Sequence, residues 1–166
     1  TVIRYNTQNQ YTIDFDSLLV PGEHMKLNAQ NAATVLQLMG VEKQRAKEIL
    51  QTWPGIAHRL QFFHEWKGYK FYNDSAATVP EAAAAASQAF GKPVIPELDK
   101  TNTNYNGPYK SLDEMLTALK TKLNSDTSDS STCPIVFSPG ATSFGMFNNE
   151  FDRGEKFMAA VKKIFC

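Results

Sequence analysis

The sequence predicts an α/β layer fold with a mostly parallel sheet flanked by helices, preceded by a short unit of a different kind. Three observations carry this. From about residue 58 onward, strand-like runs alternate with helical ones, the signature of helices layered on a sheet. The first 55 residues do not alternate in this way. Near the C-terminus, the β-rich run at 134–137 empties into small, hydroxyl-bearing residues and is followed by an aromatic segment and a helix. In an open α/β sheet, ligands sit just beyond the carboxyl ends of the strands.

The elements follow in order. Residues 2–6 and 11–15 read as a strand pair around Gln8-Asn9-Gln10, and 18–20 as a possible third strand. Pro21-Gly22 turns the chain. Ala29, Ala32, Ala33, Leu36 and Met39 recur at helical spacing, and Gly40 ends that helix. A second helix spans 42–51 and closes at Pro54-Gly55, so the chain divides into 1–55 and 56–166. Residues 60–66 and 69–72 are strands joined at Lys67-Gly68. An Ala-rich helix covers 80–90, a brief strand 92–95 and a polar loop 98–109. Ser111-Leu112-Asp113-Glu114 is a capping box opening a helix with Leu112, Met115, Leu116, Leu119 and Leu123 on one face. A Ser/Asp/Thr linker at 124–132 leads to the strand at 134–137, and the last helix, about 150–165, buries Phe157, Met158, Val161, Ile164 and Phe165.

Composition narrows the function. The 166 residues are 42% hydrophobic, enough for a real core. Net charge is zero, with 17 basic and 17 acidic residues and no basic patch, which argues against nucleic acid. No apolar run reaches membrane-spanning length or reads as a signal peptide. Cys133 and Cys166 fit a reduced, cytoplasmic setting, and neither they nor His24, His58 and His64 have metal-ligand spacing. The chain opens on Thr1 and a strand-like run, which suggests a piece of something longer.

Two loops are candidates for binding. In the first, Ser138, Thr142 and Ser143 can hydrogen-bond a ligand that the small residues let approach. The second, residues 73–81, also runs from a strand into a helix. Its helix amino terminus suits an anion, although Thr78-x-x-Glu81 also reads as a capping box with Pro80 in the first turn. Asp74 at the strand end suits a ribose, a metal-bound phosphate or a loop cap. Arg59 can reach a phosphate bidentately or stand solvated.

Four segments, in this order, resemble the C-terminal part of the Mur ligase family. They are Gly22-Glu23-His24-Met25-Lys26-Leu27-Asn28, then Pro54-Gly55-Ile56-Ala57-His58-Arg59, then Asn73-Asp74-Ser75-Ala76-Ala77-Thr78, and the loop from Ser138-Pro139 to Ser143 continuing to Phe151-Asp152-Arg153-Gly154. The last segment is similar to that of the D-glutamate-adding branch. The resemblance implies a Rossmann-like C-terminal ligase domain at 56–166, preceded by the last strands and helices of the central ATPase domain at 1–55. It implies an ATP- and Mg2+-dependent reaction in which UDP-MurNAc-L-Ala is activated as an acyl phosphate and D-glutamate's amine attacks it, in a cytoplasmic monomer. On this basis Asn28, Arg59 and Asp74 would contact ATP. Thr78 and Ser143 would hold the D-glutamate carboxylates, the Phe144 backbone amide would join that grip, and Phe147 would help close the pocket.

The departures from the family pattern are specific. Ala76 stands where many relatives have Lys, Met25 where they have Asn, and Gln61 where they have Glu. Pro96-Glu97-Leu98-Asp99-Lys100 lacks the glycines of the usual Gly-Gly-x-Asp-Lys loop. No G-x-x-x-x-G-K-[ST] occurs, so no catalytic or metal-binding residue is assigned within this chain, which alone is expected to be inactive. The alternatives are a non-catalytic nucleotide-binding or interaction module, and another amide ligase of the superfamily, such as a folylpolyglutamate synthetase.

Overall fold

The computed structural model describes residues 10–90, 106–125 and 133–166. The chain forms two compact units, Thr1–Gly55 and Ile56–Cys166. The expected strands at 2–6 and 92–95, most of the loop at 98–109 and most of the linker at 124–132 lie outside the described residues.

In the first unit, α1 (Glu23–Leu38) packs on α2 (Lys43–Gln51). Ala29, Ala33 and Ala46 are buried at the contact, small enough to let the helices approach, with Ile13, Phe15 and Leu50 around them. Helix α1 ends in a Schellman motif: Gly40 N–H donates to the Gln37 carbonyl and Val41 N–H to that of Leu36, with Gly40 at φ 91°. Met39, expected on the buried face, falls past the last turn and is exposed.

Residues 12–15 are not a strand, contrary to the sequence reading. Gln30 of α1 satisfies the Ile13 backbone: its Oε1 accepts from Ile13 N at 3.1 Å and its Nε2 donates to the Ile13 carbonyl. Gln37 Nε2 donates to the Tyr11 carbonyl at 2.7 Å. Glutamine side chains thus take the place of a ladder. Residues 18–20 form a bend rather than a strand.

In the second unit, β1 (Gln61–Trp66) and β2 (Tyr69–Asn73) form an antiparallel hairpin, and β2 pairs parallel with β3 (Pro134–Phe137). The sheet of the described residues is mixed, with one parallel pairing where a mostly parallel sheet was expected. Lys67 and Gly68 both have positive φ, 49° and 83°, as a two-residue type I′ turn requires. Helices α3 (Pro80–Ala89), α4 (Leu112–Ser125) and α5 (Glu150–Ile164) complete the unit. Ser111 caps α4 as expected, its Oγ accepting from Glu114 N at 3.1 Å.

Side chains alternate along β2, so its two faces meet different helices. Phe71 is fully buried against Phe165, at the C-terminal end of α5, at a ring separation of 4.7 Å. Tyr72, on the other face, meets Phe90 at the end of α3, also at 4.7 Å. Phe157 of α5 stacks on Phe137 of β3 at 4.1 Å. Leu116 and Val161, both fully buried, join α4 and α5 to this aromatic core. Each such ring contributes roughly 1.5–3 kcal/mol by leaving water. The core thus fixes adjacent parallel strands with α5 on one face and the end of α3 on the other. Both strands end at the same level, Asn73 paired with Phe137, and release their loops side by side.

Helix α5 begins with a reciprocal cap. Asn149 Oδ1 accepts from Asp152 N at 2.8 Å, and Asp152 Oδ2 accepts from Asn148 N at 3.0 Å. Lys156 Nζ donates to Asp152 Oδ2 at 2.8 Å. That bond, together with the Asn148 amide, lowers the Asp152 pKa. A depressed carboxylate contributes stability above its unfolded pKa and loses it as pH falls through the folded one. Protection factors of amides in the first turn of α5, taken against their intrinsic rates, are therefore expected to fall below about pH 4, and Asp152→Asn should abolish that acid-side loss in an exchange titration.

Candidate functional site

The loops that leave β2 and β3 are tied together at three places. Ser138 Oγ donates to Asp74 Oδ2 at 2.7 Å. Gly140 N–H donates to the Ala77 carbonyl at 3.0 Å. Arg153 of α5 donates from one terminal nitrogen to the Ala141 carbonyl and from the other to the Ser75 carbonyl, both at 2.8 Å. Gly140 lies so close to α3, the helix that follows the other loop, that a Cβ would stand 3.1 Å from that of Ala83, and its φ is 62°.

Asp74 is 6% exposed, and its Oδ1 accepts from Leu60 N at 3.1 Å. Both carboxylate oxygens therefore hold protein groups, and Ser138, expected to meet a ligand, is one of the donors. Asp74→Ala should leave buried donors without an acceptor and lower the unfolding free energy by about 2 kcal/mol. Asp74→Asn should cost only about 1 kcal/mol, since the amide oxygen still accepts and the Ser138 hydroxyl can turn to accept from the new NH2. Urea melts of both variants check this.

A second network lies under the first. Asn73 Oδ1 accepts from Ser75 N at 3.1 Å, which orients its amide to donate from Nδ2 to His58 Nδ1 at 3.0 Å. Nδ1 is then the acceptor, and Nε2 carries the proton toward Glu155 Oε1, 3.3 Å away. Ser75 Oγ stands 3.2 Å from the same Nδ1. Gly154 packs directly onto this cluster: a Cβ there would lie 2.2 Å from Ser75 Oγ and 2.4 Å from His58 Nδ1.

Segment 58–60 is bent to reach this loop. His58 and Leu60 have φ of 65° and 43°, left-handed values that cost side-chain-bearing residues on the order of 1–3 kcal/mol each. Three bonds offset them: His58 N to Gln61 Oε1, Ala76 N to the His58 carbonyl, and Leu60 N to Asp74. Between the two, Arg59 is exposed.

Asp74 and Thr78 lie on the loop after β2 and Ser143 on the loop after β3, the two loops that these ties join. Ser143 is 6% exposed, and Thr78 is half-buried. The capping box read at Thr78-x-x-Glu81 does not form. Val79 is the N-cap, with no side-chain cap, because Pro80 occupies the first helical position. Phe147 is half-buried beneath Lys156 Nζ, 5.6 Å from the ring, whereas Phe144 is 80% exposed. Asn28 belongs to the first unit, exposed on α1. Among the described residues, no group of three or more His, Cys, Asp or Glu could hold a metal ion, and no helix is long and apolar enough to cross a membrane. A cleft of about 400 Å³ between β3 and α4, lined by Tyr109, Leu119, Ile135 and Phe157 among others, lies away from both loops.

Arg153, Gly154, Asn73, Ser75 and Gln61 all appear in the sequence reading, but none of them was given a role there. The adjacent Arg-Gly in a helix that starts after an aromatic loop was the available signal.

No family model matches the chain. It is similar to UDP-N-acetylmuramoylalanine–D-glutamate ligases from several bacteria. That of Treponema pallidum (strain Nichols) is 34% identical over 159 aligned positions, covering 74% of this chain and 29% of the relative. That of Thermoanaerobacter sp. (strain X514) is 29% identical over 197 positions, covering 98% of this chain and 43% of the relative. That of Listeria monocytogenes serotype 4b (strain F2365) is 41% identical over 80 positions, 48% of this chain and 18% of the relative. The chain therefore spans less than half the length of these relatives. The 197 aligned positions exceed the 166 residues of the chain, so the Thermoanaerobacter protein has additional residues inside the matched span.

Proposed function

We infer that this chain, which belongs with the Mur ligases and matches their C-terminal portion, forms the part of an ATP-dependent ligase that grips an incoming amino acid. The reaction proposed for the whole protein joins D-glutamate to UDP-MurNAc-L-Ala in peptidoglycan precursor synthesis, in the cytoplasm. Residues 1–55 would be the end of the central domain and 56–166 the closing domain. The observation that carries this reading is the pair of cross-tied loops, at the ends of adjacent parallel strands, built from the residues that resemble the family's motifs.

In this proposal the Thr78 and Ser143 hydroxyls donate to the carboxylates of D-glutamate. Charge-assisted bonds of this kind are roughly twice as strong as neutral ones, and a fixed geometry holds the amine in line for attack. The Phe144 backbone N–H adds a donor, and the half-buried Phe147 ring limits water on one side. Arg59, presented outward between two left-handed residues, suits a phosphate, and Asn28 in the first unit suits an adenine. ATP, when bound, supplies the phosphoryl group that activates the partner carboxylate. Asp74, which holds Leu60 and Ser138, would face the ATP ribose from the same loop. Mg2+, which the proposed reaction needs, is assigned no ligand within this chain.

The test is phosphate release by the full-length protein with ATP, UDP-MurNAc-L-Ala and a panel of amino acids. Release should require D-glutamate, and the 166-residue chain alone should show none. Release driven equally by another amino acid would remove the proposed specificity, and turnover by the isolated chain would remove the proposed division of labour.

A further inference from the structure

Arg153 is a cation that is 4% exposed. Among the described residues it has no carboxylate within ion-pair distance, and its two hydrogen bonds go to backbone carbonyls. Its Nε is buried with no partner among them. Burying an arginine without an ion pair is costly, even with Glu150 attracting it from one turn back, and an apolar side chain of similar volume could fill the same space. What an apolar side chain cannot do is hold two carbonyls at once. The planar guanidinium presents its donors as a rigid fork, so the separation of its two terminal nitrogens sets the separation of the two acceptors. Those acceptors belong to different loops, Ser75 after β2 and Ala141 after β3. The stem belongs to α5, whose next residue, Gly154, seats the helix against Ser75. Thr78 lies three residues past one acceptor, and Ser143 two residues past the other.

We propose that Arg153 is a positioning residue that sets the distance between the two loops, and hence between the Thr78 and Ser143 hydroxyls. The assignment rests on the reading of these loops as the grip for the acceptor's carboxylates. Arg153 touches neither acceptor nor nucleotide; it acts through Ser75 and Ala141. Lysine keeps the charge but cannot span both carbonyls in a fixed plane.

Arg153→Lys therefore tests the proposal in two measurements. In hydrogen exchange on the 166-residue chain, amides at 76–79 and 142–145 should exchange ~10-fold faster, while those of Phe71 and Val161 keep their rates. In the ligation assay on the full-length protein, the KM for D-glutamate should rise ~10-fold with the KM for ATP unchanged. In a Ser143→Ala background the same substitution should add little, because its effect runs through Ser143. Unchanged loop exchange would overturn the proposal, and so would a KM effect that multiplies fully with that of Ser143→Ala. If the protein shows no reaction that depends on D-glutamate, the ligase reading fails, and loop exchange alone decides whether Arg153 sets the loop spacing.

Discussion

Gly154→Ala should lower the unfolding free energy by about 3 kcal/mol, measured by urea denaturation of the 166-residue chain. Helix propensity predicts the opposite sign, since alanine in a helix interior is favoured over glycine by about 0.8–1 kcal/mol. Packing decides. The new methyl would stand 2.2 Å from Ser75 Oγ, 2.4 Å from His58 Nδ1 and 2.9 Å from Asn73 Nδ2. None of these is the free end of a flexible chain. Ser75 and Asn73 are fully buried, and His58 is fixed by its bonds to Asn73 and Ser75 and by the Phe151 ring, 5.3 Å away. To admit the methyl, α5 must lift from the loop or the cluster must break, which strands buried polar atoms. Either movement also pulls Arg153 from its carbonyls. A neutral or stabilising Gly154→Ala would show that the contact between α5 and the β2 loop is looser than described.

Ser143→Ala should raise the KM for D-glutamate in the full-length protein by roughly 10- to 100-fold, with the KM for ATP and the melting temperature unchanged. The range corresponds to the loss of one hydrogen bond to a charged group, about 1.5–3 kcal/mol. Because Ser143 is nearly buried, alanine fits the same space, and a functional loss is not confused with unfolding. An unchanged KM would remove Ser143 from the proposed grip.

The elements of the second unit were largely legible in the sequence because each carries a local signal. Lys67-Gly68 demands a tight turn, Ser111 with Glu114 a helix start, and the run at 134–137 a strand. Where the local signal had two outcomes, reading failed. Residues 11–15 alternate like a strand, but Gln30 and Gln37 supply their backbone partners. Thr78 and Glu81 have capping spacing, but Pro80 starts the helix one residue later than that spacing needs. From the residues alone the candidate site was legible as two loops, and only the family resemblance joined them, through Thr78 and Ser143. What joins them spans 64 residues between Asp74 and Ser138 and 78 between Ser75 and Arg153, distances over which no periodicity carries information. Asp74 shows the consequence, since its residue type suggests a ligand contact and its bonds to Leu60 and Ser138 show a carboxylate that builds the loop.

The central claim is that both loops close on one acceptor molecule. A crystal structure of the full-length protein with its proposed product, UDP-MurNAc-L-Ala-D-Glu, tests it most directly. The account predicts the glutamyl carboxylates at hydrogen-bond distance, roughly 2.5–3.0 Å, from Thr78 Oγ1 and Ser143 Oγ together. Carboxylates held by residues outside both loops, or by one loop alone, would contradict it.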